Sequence, residues 1–283
     1  MILITGGTGN SGTAVVEQLR AKGVPFRMMV RDPKKVSSAG WPEGGVVAGD
    51  MSRPETLGAA LKGIEVLFLL SPPAANQVEV ETNVVNAAKA AGVRHIVKFS
   101  AMTAAPNAEQ RFPCAHGKVE EAICKSGLAW TFLRPTFFMQ NMLGFGDMVR
   151  QGVIYQPARK SKAAFVDTRD IAAVAVAALT EPGHEGKAYE ITGPQLLSYD
   201  DVAAIFSRVI GTPVKYQDIP PAAAKQAMLG MGIPDWNCDG INELMDQMRA
   251  DQYAMTTDAV RAVGHKAPTT LEQFIRENAR AWA

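Results

Sequence analysis

The chain begins with a short β-like run, ILIT, that passes directly into Gly6, Gly7, Gly9 and Gly12. Glycine loses more conformational freedom on folding than any other residue, so this density implies a sharp turn or a close backbone approach. Behind the loop, Asn10 to Lys22 reads as a helix, with Val15, Val16 and Leu19 on one face and Gly23 as its stop. Strand, glycine turn and helix in that order are the context in which GxGxxG reads as a dinucleotide-binding loop. Gly6 or Gly7 permits the tight turn, Gly9 lets the backbone approach a pyrophosphate, and Gly12 lets the helix pack closely on the sheet. The helix N-terminus offers free N–H groups to the phosphates, and Thr8, Asn10 and Ser11 can add side-chain donors.

The rest of the first half repeats the alternation. PFRMMV, GGVVAGD, VLFLL, HIVKFS and AWTFLR read as strands. Pro54 to Leu61, Asn76 to Ala91 and Ala115 to Lys125 read as helices, the second with Val80, Val84, Ala87 and Ala91 on its stripe. The fully apolar VLFLL suits a strand buried on both faces. Such alternation predicts an α/β fold, a doubly wound parallel Rossmann sheet with helices on both faces. After Pro135 the pattern loosens: GVIYQP, KAAFVD and KAYEIT are short strand-like pieces among helices. Ser198 and Asp201 predict a capping box ahead of a stripe of Val202, Ile205, Phe206 and Val209. Thr269 and Glu272 predict another, ahead of Leu271, Phe274, Ile275 and Trp282. The expected organisation is a nucleotide-binding domain over 1–135 and a smaller C-terminal α/β lobe over 136–283, some of whose segments return to the first sheet.

The end of the second strand selects the cofactor. A fold that binds NAD places Asp or Glu there, about 20 residues past the loop, for the ribose 2′-hydroxyl. Here the strand ends MMVRDPKK, so Arg31 takes the position, with Lys34 and Lys35 behind it. A guanidinium can clasp a 2′-phosphate that a carboxylate would repel. NADP(H) is therefore expected, with NAD(H) as the other possibility; a solvated charge cluster is the plainer reading. Asp50 and Met51 end the third strand, where an adenine would lie, and Asp50 could accept from its amino group.

Composition excludes several classes. Of 283 residues, 47% are hydrophobic and 20% charged, and the net charge of +1 gives no basic surface for nucleic acid. Cys114, Cys124 and Cys238 form no CxxC and suit a reducing compartment. With His95, His116, His184 and His265 they make no ligand spacing, so no metal site is expected. No run reaches the about 18 apolar residues of a membrane span, nor is there a signal-peptide core. A soluble cytoplasmic protein, monomer or homodimer, is the expectation.

With the glycine loop, RDPKK, GDM, NVVNAAKAAGVRHIVKFSAM, SGLAWTFLRPTFFMQNM, FVDTRDIAAVA and GHEGKAYEITGP in order, the sequence resembles the NmrA-like branch of the atypical short-chain dehydrogenases. Within it the resemblance is to the triphenylmethane-reductase and type 2 quinone-oxidoreductase groups. It covers nearly the whole chain and is most specific from Ser126 to Asn141. The resemblance implies a Rossmann fold with a substrate lobe, NADPH at the strand ends, and hydride transfer to an electron-poor organic molecule between the lobes. It implies that Thr8, Gly9, Asn10, Ser11, Arg31 and Asp50 touch the cofactor. Ser71 with Pro72, and Ser100 with Ala101, would line the pocket near the nicotinamide.

The proton donor of ordinary short-chain dehydrogenases, Tyr-x-x-x-Lys, is missing; Tyr155 is followed by Arg159 and lies beyond the sixth strand. Isoflavone-reductase-like relatives carry a Lys in the helix before that strand. Here the position falls on His116, with Lys118 two residues on. His116 could donate a proton, line the cofactor or substrate, or be structural. Lys118 could face solvent or phosphate. A quinone or dye cation is already electrophilic, so orientation and exclusion of water can suffice. Phe137, Phe138 and Met139 follow the sixth strand, and Asn141 could hydrogen-bond a substrate carbonyl. Trp236, in the turn-rich PDWNCDG, could join Met228, Met231, Met245 and Met248 in an adaptable lid. Core packing is the alternative for each. The leading expectation is an NADPH-dependent reductase of quinone-like or other conjugated small molecules. A biosynthetic enone, ketone or ether reductase and a non-catalytic NAD(P)-binding redox sensor of a protein partner are the alternatives.

Overall fold

The glycine loop lies between β1 (Ile2–Ile4) and α1 (Asn10–Ala21). The chain continues through β2 (Phe26–Val30), α2 (Pro33–Ser37), β3 (Val46–Ala48), α3 (Leu57–Leu61), β4 (Val66–Leu69), α4 (Gln77–Ala90), β5 (His95–Phe99), α5 (Arg111–Ser126) and β6 (Ala129–Pro135). There follow α6 (Gly146–Arg150), β7 (Val153–Gln156), α7 (Thr168–Thr180), β8 (Lys187–Ile191), α8 (Tyr199–Ile210), β9 (Lys215–Asp218), α9 (Pro221–Gly230), α10 (Asp235–Arg249), α11 (Ala259–Ala262) and α12 (Leu271–Glu277). These elements come from a computed structural model that describes residues 1–37 and 45–282. Gly44, the first residue of the GGVVAGD run, lies outside the described residues.

The seven-stranded sheet has the order β3-β2-β1-β4-β5-β6-β8. From β3 to β6 every neighbouring pair is parallel, with Ile4 opposite Met28 on one side and Phe68 on the other. That order is the doubly wound Rossmann arrangement, whose strand sequence reverses between β1 and β4. Leu3, Leu67, Leu69 and Ile96 on the strands pack with Leu57, Leu61, Val84, Val119 and Ile123 on the helices, all fully buried. The α4 stripe differs from the periodic reading. Gln77, Glu81, Val84, Val85 and Ala88 are buried, whereas Val80 and Ala87 are only half-buried and Ala91 is exposed. The helix is turned so that two polar side chains face inward: Glu81 pairs with Lys98 of β5, and Gln77 Nε2 lies 3.5 Å from Glu81 Oε1.

Two compact units divide the chain: Met1–Arg134 with Ile171–Tyr189 and Val263–His265, and Pro135–Asp170 with Glu190–Ala262 and Lys266–Ala283. In the second, β7 and β9 form a parallel pair. The Ser198–Asp201 capping box forms as the sequence predicts, and Gly211 ends α8 at φ +80°. KAAFVD makes no strand; its residues form isolated bridges, Val166 to Phe138 and Ala163 to Leu197. The cap of α12 is Thr270, whose hydroxyl accepts from Gln273 N, and not Thr269. Thr269 is taken by the fully buried Asp170: its N and Oγ1 donate to the carboxylate at 2.7 and 3.0 Å, and Lys266 completes the pairing. Fully buried Trp282 packs edge-on against Phe206 and Phe274, and its Nε1 donates to Met142 O at 3.0 Å. No described helix is long and apolar enough to cross a membrane.

Candidate functional site

In open parallel sheets ligands bind beyond the carboxyl ends of the strands, where the strand order reverses. Here that point is the gap between β1 and β4, and Thr5 fixes its width. Thr5 Oγ1 donates to Leu70 O at 2.9 Å and accepts from Leu70 N at 2.8 Å, tying the two strand ends together. The glycines then divide by what a Cβ would meet. Gly6, at φ +65°, would place one 2.8 Å from Leu70 O, Gly7 one 2.5 Å from Met28 Sδ, and Gly12 one 2.1 Å from Gly6 O. Gly6 and Gly12 are required by the protein's own backbone, whereas a Cβ at Gly7 would have to displace the Met28 side chain. Gly9 is not required: its φ is −87°, and a Cβ would meet only Gly6 O, at an ordinary 3.6 Å. The space over Gly9 is open, and Gly9 is also the N-cap of α1. No side chain caps that helix and no acidic residue sits in its first turn, which keeps its dipole end available to an anion. Thr8 and Asn10 are exposed beside it, and Ser11 is buried.

At the end of β2, Arg31 is exposed. Asp32, the one carboxylate nearby in sequence, is turned onto its own backbone, its Oδ1 accepting from Lys34 N at 3.1 Å. Asp50, after β3, makes a similar turn: Oδ1 accepts from Ser52 N at 2.9 Å and Ser52 Oγ at 2.8 Å. Those bonds, with a smaller contribution from the Arg31 charge, hold the Asp50 carboxyl below its usual range. Met51 is half-buried against the core and its carbonyl accepts from Asn83 Nδ2. Lys35 is exposed on α2.

The ends of β4 and β5 carry two matching devices. Ser71, just after β4, is buried and donates to Glu81 Oε1 at 2.7 Å; Glu81 is fully buried and paired with fully buried Lys98, whose Nζ lies 2.9 Å from Oε2. Ser100, just after β5, is buried and donates to Glu120 Oε1 at 2.6 Å; Glu120 accepts a two-pronged pair from Arg134, at 3.0 and 2.5 Å. In both, the hydroxyl proton is committed to a glutamate, so the serine oxygen is left with acceptor capacity only. A carboxamide N–H suits such an oxygen. Pro72 is exposed and Ala101 half-buried beside these serines.

His116 belongs to the first device. Lys98 Nζ is 3.3 Å and Gln77 Nε2 3.5 Å from its Nδ1, and Lys98 Nζ also donates to Phe99 O. Burial, with the Lys98 ammonium adding to it, holds the His116 imidazole well below the ordinary histidine range. Gln77 Oε1 is buried with no partner among the described residues. Lys118, two residues on, is exposed and makes no ion pair among the described residues, so it stands apart from this cluster.

In the second unit Phe137 packs edge-on against Tyr253, ring centroids 4.8 Å apart, and tilts against Phe165. Phe138 is half-buried, and Asn141 is exposed with its N–H donating to Phe138 O at 3.2 Å. Trp236 is half-buried in the first turn of α10, a helix where the composition of PDWNCDG suggests a turn. Pro234 precedes that helix instead of breaking it. Met245 and Met248 are core residues of α10, and Met231 is 72% exposed.

The sequence reading passes over Gln77, Glu81, Lys98, Glu120 and Arg134. The available signal is a lysine inside HIVKF, a strand otherwise able to be buried on both faces. A charge is almost never buried without a partner, so Lys98 demanded a carboxylate from a neighbouring element.

A nucleotide's phosphates match the uncapped helix end and the open face of Gly9, an exposed guanidinium matches a further phosphate, and the unpaired Gln77 oxygen matches a ligand N–H. Fold and loop together define a dinucleotide-binding α/β protein. The chain belongs to the NmrA-like family, whose pattern matches residues 1–275. It is similar to the NAD(P)H azoreductase of Xenophilus azovorans, 41% identical over 283 residues, with 100% of this chain and 99% of that one covered. It is also similar to the crystal structure of the NADPH-dependent quinone oxidoreductase of Escherichia coli complexed with NADPH. The TM-score is 0.89 at 29% identity, covering 99% of this chain and 100% of that one. The Citrobacter sp. triphenylmethane reductase complexed with NADP(H) gives a TM-score of 0.88 at 27% identity, covering 98% and 99% of the two chains.

Proposed function

We propose that the chain is an NADPH-dependent oxidoreductase whose acceptor is a quinone-like or other conjugated, electron-poor small molecule. The observation that carries the cofactor part is Gly9, which no contact within the protein requires to be glycine, set at an uncapped helix end. The azoreductase, quinone oxidoreductase and triphenylmethane reductase names of its relatives support the acceptor class. Bound at this site, NADPH supplies the hydride. Gly6, Gly9 and Gly12 shape the phosphate cradle, with Thr8, Asn10 and Ser11 beside it. Arg31 and Lys35 answer the 2′-phosphate, and Asp50 and Met51 border the adenine. The Ser71 and Ser100 oxygens, flanked by Pro72 and Ala101, hold the carboxamide. Phe137, Phe138, Asn141 and Trp236 contact the acceptor. His116 is the candidate catalytic group, and Lys118 is left to solvent. The free thiols of Cys114, Cys124 and Cys238 favour a cytoplasmic setting.

The test is NADPH consumption by purified protein, followed at the reduced-nicotinamide absorbance with quinones, triphenylmethane dyes, azo dyes and enones. Oxidation that depends on one acceptor class supports the reading. Tight NADPH binding without consumption across the panel overturns it in favour of a sensor or a dedicated biosynthetic enzyme. Arg31→Ala checks the cofactor assignment. A charge-assisted hydrogen bond contributes about 1.5–3 kcal/mol, so KM for NADPH should rise roughly tenfold to a hundredfold. KM for NADH should change little. An equal effect on both cofactors would remove Arg31 from the 2′-phosphate.

A further inference from the structure

The fully buried Lys98–Glu81 pair, between the central strand β5 and α4, is an unusual thing to find inside a fold. Two charges have been taken out of water, and well-packed apolar side chains would serve folding as well or better. Its geometry has a consequence for one other group. Lys98 Nζ is bonded to Glu81 and to Phe99 O, and its remaining direction is toward His116 Nδ1, 3.3 Å away. An ammonium has donors and no acceptor, so the nitrogen it faces must carry a lone pair and not a proton. In a neutral imidazole the proton is then on Nε2, which points away from Lys98 across the ring. Nε2 has no hydrogen-bond partner among the described residues, and the residue is only half-buried, so this N–H is uncommitted within the protein.

We propose that Lys98, held by Glu81, is a positioning residue that locks His116 as a neutral Nε2–H donor, and that this N–H takes an oxygen of the hydride acceptor. The proposal rests on the oxidoreductase reading above and adds a role to it. His116 is a fixed hydrogen-bond donor and not a Brønsted acid. As the acceptor gains its hydride, negative charge develops on the conjugated oxygen, and the Nε2–H stabilises it. The anionic product takes its proton from water, so the imidazole neither gains nor loses one. The groups facing the ring are Lys98 from β5 and Gln77 from α4, with Glu81 behind Lys98. On its own helix Glu120, one turn on, is occupied by Ser100 and Arg134.

The first readout is spectroscopic and needs no substrate. With ¹⁵N-labelled histidine, long-range ¹H–¹⁵N spectra report the tautomer of each of the four rings, and His116→Gln assigns the signal. Wild-type His116 should show an unprotonated Nδ1 and a protonated Nε2, with no titration through mildly acidic pH. A protonated Nδ1 or an ordinary histidine titration overturns the proposal. The double variant Lys98→Met, Glu81→Gln removes both charges and leaves Ser71 an acceptor, which guards against loss of fold. In it His116 should lose the fixed tautomer, its Nδ1 no longer held as an acceptor, while burial still keeps its titration below the ordinary range; an unchanged tautomer overturns the role of Lys98. The second readout is kinetic, with an acceptor that the wild-type protein consumes. His116→Ala should lower kcat by about 10²-fold, as loss of one oxyanion donor does, with KM for NADPH unchanged. An unchanged kcat overturns the donor role. If no acceptor is consumed, the oxidoreductase reading fails while the spectra still decide whether Lys98 positions the ring.

Discussion

Gly12→Ala is expected to weaken NADPH binding by roughly tenfold to a hundredfold and to lower the melting temperature of the free protein. The added Cβ would lie 2.1 Å from Gly6 O, 2.7 Å from Gly6 C and 2.9 Å from Gly7 Cα. All three are backbone atoms, so no side-chain rotation relieves the clash. The first turn of α1 must move away from the loop and take its N–H groups with it. Overpacking of this kind costs about 1–3 kcal/mol, and each 1.4 kcal/mol appearing in binding is about tenfold in Kd. Gly9→Ser separates binding from folding. Gly9 already has the φ of −87° and ψ of 166° of an ordinary N-cap, and a Cβ there has room. Serine is the better cap, so the free protein should melt at the same temperature or slightly higher. The side chain nevertheless fills the face proposed for the pyrophosphate, and on that proposal NADPH affinity should fall. Calorimetric titration and thermal melts of both variants are the measurements. NADPH binding to Gly12→Ala at wild-type affinity would take the loop out of the cofactor site. A large loss of stability in Gly9→Ser would mean that its open face is needed by the protein itself.

The parts of this fold that sequence reveals are those written in short-range patterns. The glycine loop, the apolar stripe Val15, Val16 and Leu19, and the Ser198–Asp201 box depend on residues within a few positions of one another, and they form as their spacing predicts. The alternation of strands and helices sets the sheet class, because parallel strands require crossovers. What the pattern cannot supply is a partner distant in the chain. Thr269 looks like a cap until Asp170, 99 residues away, claims it, and the cap passes to Thr270. KAAFVD reads as a short strand-like piece, yet it finds only isolated bridges. The α4 stripe is misread for the same reason. Periodicity counts apolar residues, and this helix turns inward a glutamate, whose buried partner Lys98 lies on a distant strand, and a glutamine beside it. The cofactor loop is local in sequence and legible; the Lys98 cluster is assembled from three elements, and only one misplaced lysine announces it.

Glu81→Ala tests that cluster at the level of the fold. The substitution leaves Lys98 fully enclosed between Phe99 O and His116 with no counter-charge, and it strips Ser71 of its acceptor. Breaking a buried pair by removing one partner costs about 3–5 kcal/mol, a large share of the 5–15 kcal/mol by which a typical domain is stable. The urea midpoint should therefore fall sharply, or the variant should be recovered only as aggregate. The double variant Lys98→Met, Glu81→Gln has no charge to strand. It should stand closer to the parent than the single variant does, with a coupling of about 2 kcal/mol or more in the cycle completed by Lys98→Met and Glu81→Gln alone. Both outcomes together would separate two explanations for the pair. If it were retained for stability, removing both members would cost as much as removing one. If the double variant folds well and loses only the fixed His116 ring and the turnover that depends on it, the buried charges are there to aim a neighbour. A double variant as unstable as Glu81→Ala would return the pair to a structural role.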